Sequence, residues 1–287
     1  MDGVNDSPSL KAADVGVAMG ITGTDVAKGA ADIILQDDSF TTIEKAIREG
    51  RNIYENIKKS ITFSLSSNIG EILTMFVAIV AGLAAPLKAV HILWINLITD
   101  TLPCIALGVD PNSSSDVMNK KPRKENESIF AGGAIQHITI NAILIACITL
   151  SGFLFPAISH MMANNIAFSF GGLADIFANN ADILARGQTY AFCILAVSEL
   201  FHAIGARDEY NTVFKFKWFD NKMMLIACAV GILGQLAVTE IPVLTQIFGT
   251  VSLSLVEWLC IVGVASLSLV MHEVMYLIHR FKHRKDV

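Results

Sequence analysis

The chain has 287 residues, of which 53% are hydrophobic and only 16% charged, against a globular norm of about 25% charged. A mean hydropathy of +0.54 and a net charge of −5 exclude an all-soluble enzyme, a disordered chain and a nucleic-acid binder. The charge is uneven, because the first sixty residues are polar and most of the rest is apolar.

The five cysteines, Cys104, Cys147, Cys193, Cys228 and Cys260, all lie in apolar stretches and form no Cys-x-x-Cys pair. An odd count rules out a simple disulfide framework, and the expectation is small buried side chains within helices. The polar start Met1-Asp2-Gly3 is not a secretory leader, so membrane insertion is expected to depend on internal segments.

Residues 1–40 read as part of an α/β domain. Asp14 to Met19 alternates toward a short strand closed by Gly20. Thr24-Asp25 caps a short helix through Gly29-Ala30-Ala31, and Ile33-Ile34-Leu35 makes a second strand. Two strands cannot bury a sheet by themselves, so this piece is expected to belong to a larger domain. From Thr41 a helical pattern runs through Ile43, Ala46, Ile47, Ile53 and Ile57 without proline, into an apolar run. One helix of some forty residues would be about 60 Å long and would join the polar piece mechanically to the bilayer.

Six apolar spans follow, at approximately 60–83, 87–108, 132–156, 188–206, 221–243 and 252–278, each near the length that crosses about 30 Å of hydrocarbon. One set of loops carries Lys120, Lys121, Arg123, Lys124, Arg207, Lys215 and Lys217, with Arg280, Lys282, Arg284 and Lys285 in the tail; the opposite side has only Lys88 and Arg186. The positive-inside rule therefore puts the polar piece, the basic loops and the tail in the cytoplasm.

Ionisable groups inside spans are the informative residues, because each carboxylate near a helix centre costs about 2.5–3.5 kcal/mol to insert. Glu71 and Asp100 fall within the first two spans and Glu199 within the fourth. Asn68 shares a helical face with Glu71, and Asn96, Thr99 and Asp100 cluster at i, i+3 and i+4. Pro103 cannot donate to the carbonyl of Thr99 and crowds it, so a bent or unwound segment beside Asp100 is expected. Every group in this constellation offers oxygen, which suits a hard cation such as Ca²⁺ with its six to eight ligands rather than a soft metal. Polar glue between helices is the alternative use of such groups. His202 reads as a satisfied polar residue, and Glu240, Glu257 and Glu273 read as structural.

The other chemistry-bearing cluster is Asp2-Gly3-Val4-Asn5-Asp6 followed by Ser7-Pro8. Two carboxylates and an amide on a glycine-containing loop suit Mg²⁺ and phosphate, and equally a plain surface turn.

These motifs together carry a resemblance. Asp2 to Gly20 resembles the phosphorylation-domain signature of P-type cation ATPases. Ser66-Ser67-Asn68-Ile69-Gly70-Glu71 resembles the fifth membrane helix of the sarco/endoplasmic-reticulum type of calcium pump. Asn96 to Pro103 resembles its sixth helix, and Ser198-Glu199 its eighth. The resemblance implies a mainly α fold, with six transmembrane helices after a small α/β remnant of a HAD-like (Rossmann-like) phosphorylation domain. The implied organisation is a phosphorylation-domain part over 1–40, a stalk helix over 41–59, a membrane domain over 60–278 and a cytoplasmic tail over 279–287.

By the same resemblance Asp2 would hold catalytic Mg²⁺, with Asn5 and Asp6 completing the phosphate pocket. Asn68, Glu71, Thr99, Asp100 and Glu199 would form one Ca²⁺ site, and Asn96 and Asp100 would contribute to a second. ATP and Mg²⁺ are the implied cofactors of the intact pump, and Ca²⁺ is its cargo. The implied partners are the lipid bilayer and an N-terminal part of the pump, and the implied location is the cell membrane of a prokaryote. The phosphorylated Asp of the family's Asp-Lys-Thr-Gly-Thr motif does not occur in the 287 residues. Met1 stands where the family has Gly. A Na⁺ or Mn²⁺ pump and a non-hydrolysing membrane subunit are the competing readings.

Overall fold

The computed structural model describes residues 3–111, 118, 119, 121, 123, 127–208 and 211–283, with side chains to 281. Asp2, Lys120, Lys124, Arg284 and Lys285, and the side chain of Lys282, lie outside the described residues. The chain divides into two compact units, the first running to Glu55 and the second beginning at Asn56.

In the first unit a 3₁₀ turn over Val4–Asp6 leads into α1 (Ser7–Ala12). Strand β1 (Val17–Met19), helix α2 (Asp25–Ala30) and strand β2 (Ile33–Leu35) follow. The strands are parallel, with Val17 opposite Ile33 and Met19 opposite Leu35. Thr24 caps α2 as expected, its Oγ1 accepting from the Ala27 N–H at 3.3 Å. Leu10, Ala18 and Ala27 are buried between these elements. The first strand is shorter than the alternation from Asp14 predicts. Asp32 binds Gly16 from both sides, its carboxylate taking the Gly16 N–H at 2.8 Å and its own N–H reaching the Gly16 carbonyl.

Asp38 closes the unit, with φ at 50°. Its carboxylate accepts from the Ile21 N–H at 2.9 Å, and from the Thr22 N–H and hydroxyl at 2.7 Å each. Those donors, the Ile21 N–H foremost, hold the Asp38 carboxyl down to about 2.

Helix α3 (Phe40–Val80) is a single helix of 41 residues, long enough at 1.5 Å per residue to extend about 60 Å, as its uninterrupted pattern predicts. After a turn at Gly82, where φ is +71°, the second span begins as α4 (Ala89–Trp94), passes through a π-helical turn over Ile95–Asp100 and continues as α5 (Thr101–Gly108). The expected irregularity beside Asp100 is thus a widened turn rather than an unwound segment.

Helix α6 (Ala134–Ala163) carries Pro156 inside it. The short helix α7 (Phe170–Asn179), which hydropathy did not signal, precedes α8 (Ala181–Ala206). Helix α9 (Lys222–Glu240) and the short α10 (Pro242–Phe248) follow. The last span, expected to be continuous, is divided at Ser266 into α11 (Leu255–Ala265) and α12 (Leu267–His283). Among the described residues six helical segments are long and apolar enough to cross a membrane, so this is a multi-pass membrane chain of mainly α structure.

Helix α8 occupies the centre of the second unit. Residues 187–200 are buried without interruption, and α8 packs on α6, α9, α11 and α12. Cys193 is buried as expected, but Cys147 and Cys260 are exposed on outward helix faces. An apolar sequence does not distinguish a side chain facing lipid from one facing protein.

A buried ion pair fixes the ends of α5 and α8. Arg207 Nε meets Asp110 Oδ2 at 2.8 Å, with side chains 9% and 5% exposed. Asn56 Nδ2 donates to the Asp110 carbonyl at 2.8 Å, and Asn221 Nδ2 to the Ala106 carbonyl at 2.8 Å.

Two outcomes are expected. Because the Asp38 carboxyl is depressed in the fold from 3.8 to about 2, its contribution to stability is full above pH 4 and is lost as the pH falls through about 2. Acid titration followed by NMR should show this loss, and Asp38→Asn should abolish it. Arg207→Ala leaves Asp110 buried without its partner and should cost about 3–5 kcal/mol. Replacing both residues with apolar ones of similar volume should restore most of that loss in thermal unfolding.

Candidate functional site

Helix α3 brings Ser64, Ser67, Asn68 and Glu71 to one face, since they recur at three- and four-residue spacing. Ser67 and Glu71 are buried and Asn68 is half-buried. Facing them, the π-helical turn presents Asn96, Thr99 and Asp100. A π turn adds a residue to the helical repeat and so turns adjacent side chains toward positions a regular α-helix would not give.

Side chains take up carbonyls along this segment. Asn96 Nδ2 donates to the Ile92 carbonyl at 2.9 Å and Thr101 Oγ1 to that of Asn96 at 2.7 Å, while the one proton of Thr99 Oγ1 is shared between the Ile95 carbonyl at 3.1 Å and Glu199. These donors serve the carbonyls of Ile92, Ile95 and Asn96, and not the Thr99 carbonyl to which Pro103 cannot donate.

Helix α8 supplies Glu199, which has no exposed surface. Three hydrogen bonds join the predicted residues in pairs. Thr99 Oγ1 donates to Glu199 Oε2 at 2.8 Å, Asn68 Nδ2 to Asp100 Oδ2 at 3.3 Å and Asn96 Nδ2 to Glu71 Oε2 at 3.5 Å. The second oxygen of each carboxylate, Glu71 Oε1, Asp100 Oδ1 and Glu199 Oε1, is buried without a hydrogen-bond partner. Among the described residues no Lys, Arg or His forms an ion pair with any of the three.

A buried acceptor without a donor costs about 1–3 kcal/mol, and more when it is charged. A bound cation relieves that cost directly. Among the described residues, however, no three of His, Cys, Asp and Glu stand as a ready metal-holding group. One oxygen of each carboxylate is instead taken by an amide or hydroxyl donor.

Two nearby groups were misjudged or missed in the sequence. The Ser67 hydroxyl is buried and interacts with the Asp100 carboxyl; its place one turn before Glu71 was the available signal. His202, expected to be satisfied, has a buried Nε2 with no partner and packs its ring on Phe63 at 5.5 Å between centroids.

Glu240, Glu257 and Glu273 fit the structural reading. Glu240 accepts from Ser252 Oγ at 2.6 Å, and Glu273 from the Val213 N–H at 2.6 Å and Thr212 Oγ1 at 2.9 Å. Glu257 accepts from Arg186, Tyr190 and Ser254.

In the first unit, Asn5 is exposed and Asp6 half-buried. Both sit in the 3₁₀ turn, where Asp6 Oδ2 accepts from the Gly3 N–H at 3.1 Å. Asp2 lies outside the described residues.

The chain is 47% identical over 276 residues, 96% of its length, to calcium-transporting ATPase 1 of Bacillus cereus, covering 30% of that protein. It is 41% identical over 266 residues to the calcium-transporting ATPase of Bacillus subtilis, covering 93% of this chain and 27% of that protein. It is 38% identical over 283 residues to mouse calcium-transporting ATPase type 2C member 1, covering 99% of this chain and 28% of that protein. The chain thus spans less than a third of the length of these relatives. Residues 84–278, which hold the π-helical turn and Glu199, match the family described as cation transporting ATPase, C-terminus, and the chain belongs to that family.

Proposed function

We propose that this chain is the cation-binding membrane part of an ATP-driven calcium transporter. The observation that carries the reading is the set of three buried carboxylates on three elements, each with an unpartnered oxygen and with amide and hydroxyl groups alongside. Asn68, Glu71, Thr99, Asp100 and Glu199 would contribute oxygens to one site, and Asn96 and Asp100 to a second. The relatives are named for calcium transport, and an all-oxygen ligand set suits that hard ion.

The hydrogen bonds suggest how the site takes up its cargo. Asn68 and Asn96 turn amide nitrogens toward carboxylates. Rotation of each amide by half a turn presents its carbonyl oxygen instead, and the Thr99 hydroxyl can point its lone pairs at a cation by rotating its proton away. The entering charge then replaces weak donors around three carboxylates. Ordering costs fall because the side chains are already placed by packed helices.

For the whole transporter we infer use of ATP with Mg²⁺, with Asp2 holding the metal and Asn5 and Asp6 contacting phosphate; the support is their motif together with the ATPase names of the relatives. Residues 1–40 are assigned to the phosphorylation domain, 41–59 to a stalk, 60–278 to the membrane domain and 279–287 to the tail. The basic residues Lys121, Arg123, Arg207, Lys215, Lys217 and Arg280 alternate with Lys88 and Arg186 between spans, which favours a cytoplasmic first unit. Higher identity to the two Bacillus proteins than to the mouse protein supports a prokaryotic cell membrane. The remaining N-terminal part of such a pump is the proposed partner.

Asp100 is shared by both sites, so Asp100→Asn should be the most damaging single change. Equilibrium binding of radioactive calcium to the chain in lipid should weaken by about 100-fold or more, at or beyond the upper end of the loss for removing a supporting metal-site group. Unchanged binding would overturn the site. A second outcome concerns chemistry: phosphoryl transfer needs a nucleophile and a positioned nucleotide, and no Asp-Lys-Thr-Gly-Thr occurs in the 287 residues. The purified chain in lipid should form no acid-stable phosphoenzyme from labelled ATP, with or without calcium. A clear calcium-dependent phosphoenzyme would show that another residue is the nucleophile.

A further inference from the structure

Away from the cation site, two cavities of about 390 Å³ each lie side by side between α6, α8 and α11, and both are lined by Phe155 and Tyr190. Each falls within the range of about 300–1,000 Å³ usual for small-molecule sites. The elements that line them share one membrane surface, because α6 ends there while α8 and α11 begin there. The first cavity has a mainly apolar wall into which Ser159 and His160 from the last turns of α6 and Asp182 and Arg186 from the first turns of α8 bring polar groups. The second runs deeper along apolar helix faces, past Gly152, Ile194, Cys260 and Val264. From Glu257 to Val264 it descends about 10 Å at 1.5 Å per residue.

The charges at the entrance are arranged unusually. Asp182 and Arg186 stand four residues apart on α8, the spacing at which opposite charges ordinarily pair. Instead Arg186 Nη1 is drawn to Glu257 Oε1 at 2.6 Å, with its side chain still 48% exposed. Glu257 is in turn fixed by the Ser254 N–H and hydroxyl at 2.7 Å each and by the Tyr190 hydroxyl. The guanidinium is therefore oriented and keeps further N–H donors for a ligand. Asp182 is left exposed, with no hydrogen-bond or ion-pair partner among the described residues.

We infer that the paired cavities bind one phospholipid with a primary-amine headgroup, phosphoethanolamine in chemical class. The phosphate sits on the free donors of Arg186, the ammonium donates to Asp182, and one acyl chain lies in the apolar cavity below Phe155 and Tyr190. A fixed cation beside a separate, unpaired carboxylate matches a headgroup carrying both charges, and a quaternary ammonium has no proton to give Asp182. Bilayer lipid is the one ligand present in excess at this depth.

The test is to place the full chain in nanodiscs of equal parts phosphatidylethanolamine, phosphatidylcholine and phosphatidylglycerol, extract it into mild detergent and count retained lipids by native mass spectrometry. One phosphatidylethanolamine per chain should remain, in preference to the other two. Asp182→Asn and Arg186→Gln should each lower its retention about tenfold, as expected for losing a hydrogen bond to a charged group. Asp182 is exposed and unpaired, so its substitution carries the test without risk to the fold. Cys260→Trp, which fills the apolar cavity, should displace lipid of every headgroup. Equal retention of all three headgroups, unchanged retention in Asp182→Asn, or a co-purified membrane polypeptide in place of lipid would overturn the inference.

Discussion

Everything in the second unit is arranged around the cost of keeping carboxylates inside a bilayer. Glu199 has no exposed surface, and Glu71 and Asp100 are each only 5% exposed. Insertion costs of about 2.5–3.5 kcal/mol apiece are tolerable in lipid only where the groups face the bundle interior or a water-filled space. The fold meets that condition by wrapping α8 on several sides, so that a continuous stretch of its surface is covered by protein. Glu199 is then far from hydrocarbon, and its Oε2 is held by Thr99. The remaining unpartnered oxygens are a cost the packed helices sustain, and the proposed cation would relieve it.

The π-helical turn is the second half of that solution. Asn96, Thr99 and Asp100 belong to one short segment yet engage different elements: Asn96 meets Glu71 and Asp100 meets Asn68 on α3, while Thr99 meets Glu199 on α8. A regular helix spreads neighbouring residues about 100° apart and would direct fewer of them to one focus. Widening the turn weakens regular backbone bonding, and the hydroxyls of Thr99 and Thr101 compensate by donating to the carbonyls of Ile95 and Asn96. The threonines therefore serve the backbone as well as the site.

Much of this was legible from residue order because the signals are local. The Thr24 cap, the strand Ile33–Leu35 and the unbroken α3 depend on neighbours within a few residues. The pairing of Asn68, Glu71, Asn96, Thr99, Asp100 and Glu199 was approachable because ionisable and amide groups are scarce within apolar spans. What escaped depends on distant neighbours. Exposure of Cys147 and Cys260 depends on which helix faces remain uncovered. The unpaired His202 depends on Phe63, more than a hundred residues away, presenting a ring and no acceptor. The break at Ser266 has no proline to announce it, only Gly263 one turn before, whose carbonyl takes the Ser266 hydroxyl. Pro103 indicated an irregularity beside Asp100 but not its form, since bending, unwinding and a π turn all relieve the same clash.

Close helix contact supplies what apolarity cannot. In lipid, burial of one apolar face against another gains little, so association depends on packing and on hydrogen bonds between helices. At Gly187 of α8 an added Cβ would lie 2.7 Å from the Phe153 carbonyl oxygen on α6, and at Gly70 of α3 it would lie 2.9 Å from an Ile145 methyl. The first of these neighbours is backbone and cannot move aside as a flexible side chain can. Gly187 therefore sets the spacing of α6 against α8 one turn from Tyr190, while Gly70 brings α6 against α3 beside Glu71. The same near contacts that bring the carboxylate-bearing helices together thus also fix α6, whose remaining surface completes the two cavities. The proposed cation site and the two cavities are separate in chemistry but depend on one packing scaffold.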